Sequence, residues 1–290
     1  MSTPENPVPD KPLRQRPWIP ISLRVALALL LLLGISSSLV VGIPAYRRKE
    51  AIIRLQELGG FNCYSGQERP REPKWVWSVI PDDWANAFDV VDSVDISNST
   101  ASDEDIRKLS ALTNLSNLVI SGTRVTDAGL VGLSELSALR YLWMDETWIS
   151  SAGLKHLGNL KNLEFLSLDD TRVGNEGLSH LSQLENLTTL SLGNTLVADG
   201  GLQHLARLTR IEILHIEGTR VTDSGLSHLA AFPNLKRLSL DRLQVTDAGL
   251  GQLKSLKTLE MLYLRDTKVT AEGIEDLQRE LPNLVIESNW

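Results

Sequence analysis

Histidine is the first residue type whose spacing could support chemistry. Four of the five histidines recur at intervals of 24 residues, namely His156, His180, His204 and His228. Imidazoles in such a row could act as metal ligands. The repeats described below place them on short helices, and packed helix axes stand about 8 to 10 Å apart. Two imidazoles cannot share a zinc ion at about 2 Å each across that distance, so we expect surface residues.

Other candidates for catalysis are sparse. Cys63 is the single cysteine, which excludes a disulfide framework and a zinc site built from cysteine pairs. The sequence contains no glycine-rich phosphate loop, no H-E-x-x-H and no G-x-S-x-G motif. The acidic runs at 103–105 and 275–276 are typical of solvated helix starts, with cation binding as the alternative. We therefore expect a protein that is not an enzyme and needs no cofactor.

The charge is unevenly distributed along the chain. Residues 1–74 carry 11 Lys and Arg against 6 Asp and Glu, whereas residues 75–290 carry 18 against 30. Nucleic-acid binding depends on clustered cations that displace the counterions of the phosphates. The acidic body therefore argues against a nucleic-acid partner.

The front of the chain has the pattern of a tail followed by a membrane anchor. Residues 1–20 hold six of the 12 prolines, and so many fixed φ angles with so few apolar groups predict a disordered tail. The uncharged run Val25–Ile43 is long enough to cross a hydrocarbon layer of about 30 Å. We predict a single transmembrane helix at 21–44. A signal peptide cleaved at the small residues 36–38 is the alternative, and similar numbers of basic residues on both sides leave the orientation open.

Two segments separate this anchor from the body. Residues 45–60 predict a juxtamembrane helix that ends at a glycine pair and has four apolar residues on one side, namely Ile52, Ile53, Leu55 and Leu58. Residues 61–93 combine turn residues with the aromatic side chains Trp75, Trp77, Trp84 and Phe88. This composition is typical of a lid, so we predict an N-terminal cap over an exposed core.

The body repeats with a period of 24 residues. Threonine fills six of seven positions in one column, Thr123, Thr147, Thr171, Thr195, Thr219 and Thr267, with Leu243 as the exception. Leucine fills a second column from Leu118 to Leu262. Such a period indicates a solenoid, whose units stack because none can bury its apolar face alone. We predict repeats over 94–290, with a degraded first unit and a C-terminal cap.

Within each unit, the apolar spacing changes from alternation to a helical period. The alternation predicts a short strand whose outward residues, in one unit, are Phe165, Ser167 and Asp169. Leucines then recur every three residues, at positions 178, 181 and 184, as on one side of a short helix. Thr-Asp pairs such as Thr246 with Asp247 precede several helices, where their oxygens can accept free amide hydrogens.

The runs NLEFLSLDDT and TLEMLYLRDT resemble the leucine-rich repeat family, whose pattern is L-x-x-L-x-L followed by Asn or Cys. The run TRVTDAGL at 123–130 is most similar to the subclass of F-box-associated and bacterial membrane-anchored repeat proteins. This resemblance implies an α/β solenoid with a curved parallel sheet on the concave face and short helices on the convex face. Thr replaces the usual Asn, so we expect a ladder of hydroxyls between turns, broken at Leu243. The segment before the repeats is assigned to the membrane anchor rather than to a helical F-box. We therefore do not expect the ubiquitin-ligase adaptor role of F-box proteins.

The repeat register also predicts which residues share the concave face. Because neighbouring strands lie about 4.8 Å apart, we expect Tyr141, Trp143 and Phe165 to form an aromatic cluster. Four acidic residues at the strand ends should form its rim, namely Asp145, Glu146, Asp169 and Asp170. Trp148 occupies the turn that follows the strand in its repeat and should add a ring nearby. His215 should face the same side from a later strand.

Exposed rings beside charges are typical of an interaction hot spot. The sequence therefore predicts a non-catalytic, membrane-anchored protein that binds a protein or peptide, with basic residues to meet the acidic rim. An enzyme regulator that wraps its target would use the same surface. The alternative is a secreted or envelope spacer without a ligand, in which the rings only stabilise the sheet by cross-strand contacts.

Overall fold

The computed structural model describes residues 43–59, the backbone of a strand at 61–64, and residues 91–289. The predicted tail at 1–20, nearly all of the predicted span at 21–44 and the aromatic residues of the predicted cap lie outside these ranges. Within the described ranges, no helix is both long enough and apolar enough to cross a bilayer.

The described strands form one ten-stranded sheet in chain order. They are β1 (Phe61–Tyr64), β2 (Val91–Asp95), β3 (Asn117–Val119), β4 (Tyr141–Trp143), β5 (Phe165–Ser167), β6 (Thr189–Ser191), β7 (Ile213–His215), β8 (Arg237–Ser239), β9 (Met261–Tyr263) and β10 (Val285–Glu287). Strands β2 to β10 are parallel, as the 24-residue register predicts. Strand β1 pairs antiparallel with β2, which the repeat pattern does not predict because β1 precedes the repeats.

Short helices return the chain from each strand to the next. The α-helices are α1 (Ile43–Glu57), α2 (Asp103–Lys108), α3 (Asn175–Leu178), α4 (Asp199–Leu202), α5 (Asp223–Leu226), α6 (Asp247–Leu253) and α7 (Ala271–Glu280). Among the described residues, six 3₁₀ helices extend or replace them, at Leu109–Ala111, Leu130–Leu133, Gly153–His156, Ser179–Leu181, Gln203–Leu205 and Ser227–Ala231. The short helical returns match the apolar spacing of three residues.

The core is one continuous column of side chains between the sheet and the helices. Each repeat buries the central leucine of its strand, such as Leu142 or Leu166, and the first leucine of its return, such as Leu154 or Leu178. A fully buried leucine stabilises the fold by about 1.5 to 3 kcal/mol. Since each unit shares its core only with its neighbours, the two ends of the column need covering.

Helix α1 covers the N-terminal end of this core. Ala51, Ile52 and Leu55 are buried among the residues of the first repeat, whereas Ile53, predicted to lie on the same side, is 45% exposed. Successive residues on a helix are separated by about 100°, which places Ile53 outside the apolar stripe.

An ion pair fixes α1 to the first repeat. The guanidinium of Arg54 donates to Oδ1 of the buried Asp105 at 2.6 Å and to Oδ2 at 3.4 Å. Burial raises the pKa of Asp105, but hydrogen bonds from Arg54 and Ser102 outweigh burial, so the pKa lies below its ordinary value. Asp105 is therefore a structural anion rather than part of a solvated helix start.

Aspartates link successive returns through a ladder of paired hydrogen bonds. Asp223 accepts from the backbone N–H of Thr246 at 2.8 Å and from its hydroxyl at 2.6 Å. The same pairing joins Asp103 to Thr126, Asp127 to Ser150, Asp199 to Thr222 and Asp247 to Thr270. The predicted caps are therefore right for some threonines, since Thr246 accepts from the N–H of Ala248. They are wrong for the aspartates, which bind the next repeat.

The threonine column stabilises each turn from within. Thr171 donates its hydroxyl to the carbonyl of Leu168 at 2.6 Å, and Thr195 donates to that of Leu192 at 2.7 Å. The predicted ladder of hydroxyls between turns is wrong, because each hydroxyl reaches a carbonyl three residues earlier in its own unit. Leu243 is fully buried instead of forming this bond.

Candidate functional site

Three aromatic rings lie together on the concave side of strands β4 and β5. The ring centroids of Trp143 and Phe165 are 4.6 Å apart, and those of Tyr141 and Trp143 are 6.3 Å apart with planes inclined by 20°. The register explains this contact, because Tyr141 pairs with Phe165 on the neighbouring strand. All three residues are partly exposed. The predicted aromatic cluster is therefore present as an open surface of three rings.

A surface ion pair holds one side of this cluster. Arg140 donates from Nε and Nη2 to Glu164 at 2.8 to 3.0 Å, and the hydroxyl of Tyr141 donates to the same carboxylate at 3.2 Å. The guanidinium carbon of Arg140 lies 5.4 Å from the centre of the Tyr141 ring. Hydrogen bonding to Glu164 raises the pKa of Arg140. The sequence prediction omitted both charged residues, although opposite charges 24 residues apart were the available signal.

Two of the predicted rim carboxylates are used within the sheet. Asp145 accepts from the hydroxyl of Ser121 at 3.1 Å, from the N–H of Asp169 at 3.0 Å and from the hydroxyl of Ser167. Asp169 in turn accepts from the hydroxyl of Ser191 at 2.6 Å. These acids connect successive strand ends.

The same bonds explain a local difference from the sequence prediction. Ser167 was expected to be exposed on the concave face, but only 4% of it is accessible. Its side chain is short, and it lies against the carboxylate of Asp145, to which it donates. Of the paired residues Trp143 and Ser167, the first therefore presents a large, partly exposed ring and the second is covered.

Burial makes Asp169 harder to ionise. Loss of solvent raises its pKa, as do the charges of Asp145 and Glu217, and the hydrogen bonds from Ser191 and Gly193 offset only part of this. A Cβ atom at Gly193 would lie 3.1 Å from Oδ1 of Asp169 and 3.0 Å from Oε1 of Glu217. The two carboxylates therefore flank the backbone of Gly193, and the buried Oε2 of Glu217 has no hydrogen-bond partner among the described residues.

The other two rim acids lie in the turns that follow the strands. Glu146 and Asp170 adopt left-handed backbone angles, with φ of 52° and 56°, and both are exposed. Asp170 accepts from the side-chain amide of Asn194 at 3.2 Å. Together with Trp148 and Arg172 they line an open groove of about 590 Å³.

Trp148 belongs to this groove rather than to the aromatic cluster. It is 60% exposed, and the guanidinium carbon of Arg172 lies 5.3 Å from the centre of its ring. Among the described residues, its ring contact is with this cation, while the rings of the aromatic cluster contact one another. The left-handed turn at Glu146 lies between Trp143 and Trp148 and redirects the chain, so closeness in sequence does not bring the two indoles together.

His215 lies apart from the aromatic cluster as well. It ends strand β7, where it pairs with Ser191 on one side and Ser239 on the other. Three strand spacings separate it from Trp143, a distance of about 14 Å. Of the predicted site residues, the structure thus brings Tyr141, Trp143 and Phe165 together, and it places His215 on the same face at a distance.

Comparison with known proteins finds no matching family model and no matching curated protein. The chain is similar in structure to an internalin C2 from Listeria monocytogenes, with a TM-score of 0.57, 24% identity, and 69% of this chain and 81% of that chain covered. The fold is a leucine-rich repeat solenoid. An identity this low relates the two proteins in fold alone, and the repeat subclass remains a prediction.

Two further solved structures with leucine-rich repeats match more loosely. An internalin (inlF) from Listeria monocytogenes has a TM-score of 0.39 and 20% identity, covering 67% of this chain and 79% of that chain. A plant peptide hormone receptor, RGFR1, solved in complex with RGF2, has a TM-score of 0.45 and 15% identity, covering 63% of this chain and 30% of the receptor.

Proposed function

We propose that this leucine-rich repeat protein binds a protein or peptide segment through the aromatic cluster of Tyr141, Trp143 and Phe165, without catalysing a reaction. The observation that carries the proposal is the open contact of the three rings on the concave face, with centroids 4.6 and 6.3 Å apart. Rings fixed against one another lose little conformational freedom on binding, which favours their use as anchors.

Charge favours a partner that carries basic residues. Residues 75–290 contain 30 acidic and 18 basic residues, and Glu146 and Asp170 keep exposed carboxylates at the strand ends. Asp145 and Asp169 contribute less than the sequence predicts, because their oxygens are occupied by hydroxyl and amide donors. The cationic groups of a partner would therefore meet the exposed pair.

The proposal includes a membrane anchor at residues 21–44, and it rests on the sequence alone. The uncharged run Val25–Ile43 supports it. After alkaline extraction, we expect the intact chain to stay with the membrane fraction. Recovery of a soluble form that begins near residue 39 or 43 would replace the anchor with a cleaved signal peptide.

Crosslinking in native membranes tests the binding proposal. The intact chain is compared with a Tyr141→Ala, Trp143→Ala, Phe165→Ala variant whose folding is verified by circular dichroism. A matched control is Met261→Ala with Tyr263→Ala, which removes two large side chains from the same face at strand β9.

We expect a crosslinked partner that is lost from the triple variant and kept by the control. An anchor ring contributes about 2 kcal/mol or more to binding, which corresponds to roughly 30-fold in affinity. Equal recovery from all three proteins, or no partner from any of them, would favour the spacer without a ligand.

A further inference from the structure

A second surface runs beside the concave face, in the column that follows the buried threonines. Each repeat places one residue there, and every one of them is exposed. We name this column the basic-apolar stripe, and its members are Arg124, Trp148, Arg172, Leu196, Arg220, Gln244 and Lys268. Four of the seven are cations, although the repeat body as a whole is acidic.

The apolar members of the stripe are unusually exposed. Within the repeats at 91–289, four large apolar side chains are exposed, and two of them, Trp148 at 60% and Leu196 at 47%, lie in this column. They alternate with Arg172 and Arg220. Isolated exposed apolar residues are common on protein surfaces. Here they alternate with cations along one line, so a single partner can contact both kinds of side chain.

The cations of the stripe are not neutralised by the protein itself. Elsewhere in the repeats, Arg140, Lys236 and Lys254 form ion pairs with carboxylates at 2.6 to 2.8 Å. Among the described residues, none of the four stripe cations does so, and Arg172 instead lies over the Trp148 ring. These cations therefore remain available to an external anion.

Backbone pairing sets the spacing of the stripe. Five of its seven residues bridge to the preceding repeat, as Trp148 does to Thr126, Arg172 to Ser150 and Leu196 to Gly174. Neighbouring members are then about 4.8 Å apart, so the four residues from Trp148 to Arg220 span about 14 Å. Alternate side chains of an extended segment are about 7 Å apart, so three of them on one side cover this length.

Acidic residues in the same groove restrict the shape of the partner. Glu146 and Asp170 line the groove together with Trp148 and Arg172. A flat anionic membrane or a polyanion charged on all sides would bring negative charge against these two carboxylates. An extended peptide avoids that repulsion, because its alternate side chains point to opposite sides.

We propose that the basic-apolar stripe binds an extended peptide segment that presents acidic and apolar side chains on one side. The acidic groups pair with Arg172 and Arg220, and the apolar groups contact Trp148 and Leu196. The stripe contains none of the three rings of the aromatic cluster and selects the opposite charge, although its groove includes Glu146 and Asp170 from the rim of that cluster. Different variants test the two surfaces, so the two proposals can fail independently.

Fluorescence anisotropy with the purified full-length chain in mild detergent tests the stripe. The probe is a labelled nine-residue peptide in which glutamate and leucine alternate on one side and serine fills the other. Arg172→Gln with Arg220→Gln removes two stripe cations. Lys155→Gln with Arg207→Gln is the matched control, because it removes two exposed cations without ion-pair partners among the described residues.

We expect saturable binding that weakens with salt, falls about tenfold in the stripe variant, and is unchanged in the control and in the aromatic-cluster triple variant. A peptide with lysine in place of glutamate should show no binding that the stripe variant weakens. Equal loss in stripe and control variants, or no saturable binding of the acidic peptide, would overturn the proposal. Preferential binding of phosphatidylglycerol vesicles or dextran sulfate, lost in the stripe variant, would overturn it in favour of a membrane or a polyanion.

Discussion

The rings of Trp143 and Phe165 lie 4.6 Å apart at an angle of 37°, on neighbouring strands and at positions that are two residues out of register. Trp143 pairs with Ser167, and Phe165 pairs with Tyr141, so the contact is diagonal. Diagonal neighbours on adjacent strands lie within reach of aromatic side chains, which is why the two rings meet.

This contact should be measurable as a coupling between the two residues. Trp143→Ala, Phe165→Ala and the double variant form a cycle whose free energies of unfolding can be measured in urea with the full-length chain. We expect a coupling energy of about 0.5 to 1.5 kcal/mol, the usual value of an aromatic pair. Additive single effects would show that the rings do not stabilise each other in solution.

The carboxyl groups of Asp105 and Asp169 should give the stability of the fold opposite dependences on pH. The pKa of Asp105 is lowered, so its stabilising contribution is present above the unfolded value of about 3.8 and is lost as the pH falls through the folded value. The pKa of Asp169 is raised, so its contribution is present below about 3.8 and is lost as the pH rises through the folded value.

Unfolding of the wild type, Asp105→Asn and Asp169→Asn between about pH 3 and pH 6 separates these effects. As the pH falls, the wild type should lose stability relative to Asp105→Asn and gain stability relative to Asp169→Asn. If the free energy of unfolding depends on pH in the same way for all three proteins, the opposite pKa shifts of Asp105 and Asp169 are contradicted.

The aspartate ladder should contribute strongly to the cohesion of the repeats. Asp223→Ala removes the charged acceptor of two hydrogen bonds that Thr246 donates, at 2.6 and 2.8 Å. We expect a loss of about 2 to 4 kcal/mol in the free energy of unfolding. Glu185→Ala, an exposed acid with no hydrogen bond to the described repeats, is the control and should change stability by less than about 0.5 kcal/mol. A similar small change for Asp223→Ala would show that the ladder is dispensable.

The sequence by itself determined the solenoid, its strand register and the meeting of the three rings. The physical reason is that a constant period of 24 residues places equivalent positions on adjacent strands, about 4.8 Å apart. Once Leu142 and Leu166 are assigned to the core, Tyr141 and Phe165 must be neighbours on the opposite face. Periodicity therefore carries information about contacts as well as about secondary structure.

Only the tertiary structure decided how the polar groups are paired. The sequence does not show whether Asp223 caps its own helix or binds the next repeat, because amide donors are available in both places and the turn geometry selects one. In the same way, the left-handed turn at Glu146 separates Trp148 from Trp143 and places it beside Arg172. Hydrogen-bond partners and the surfaces beyond a turn depend on backbone angles that a repeat pattern does not specify.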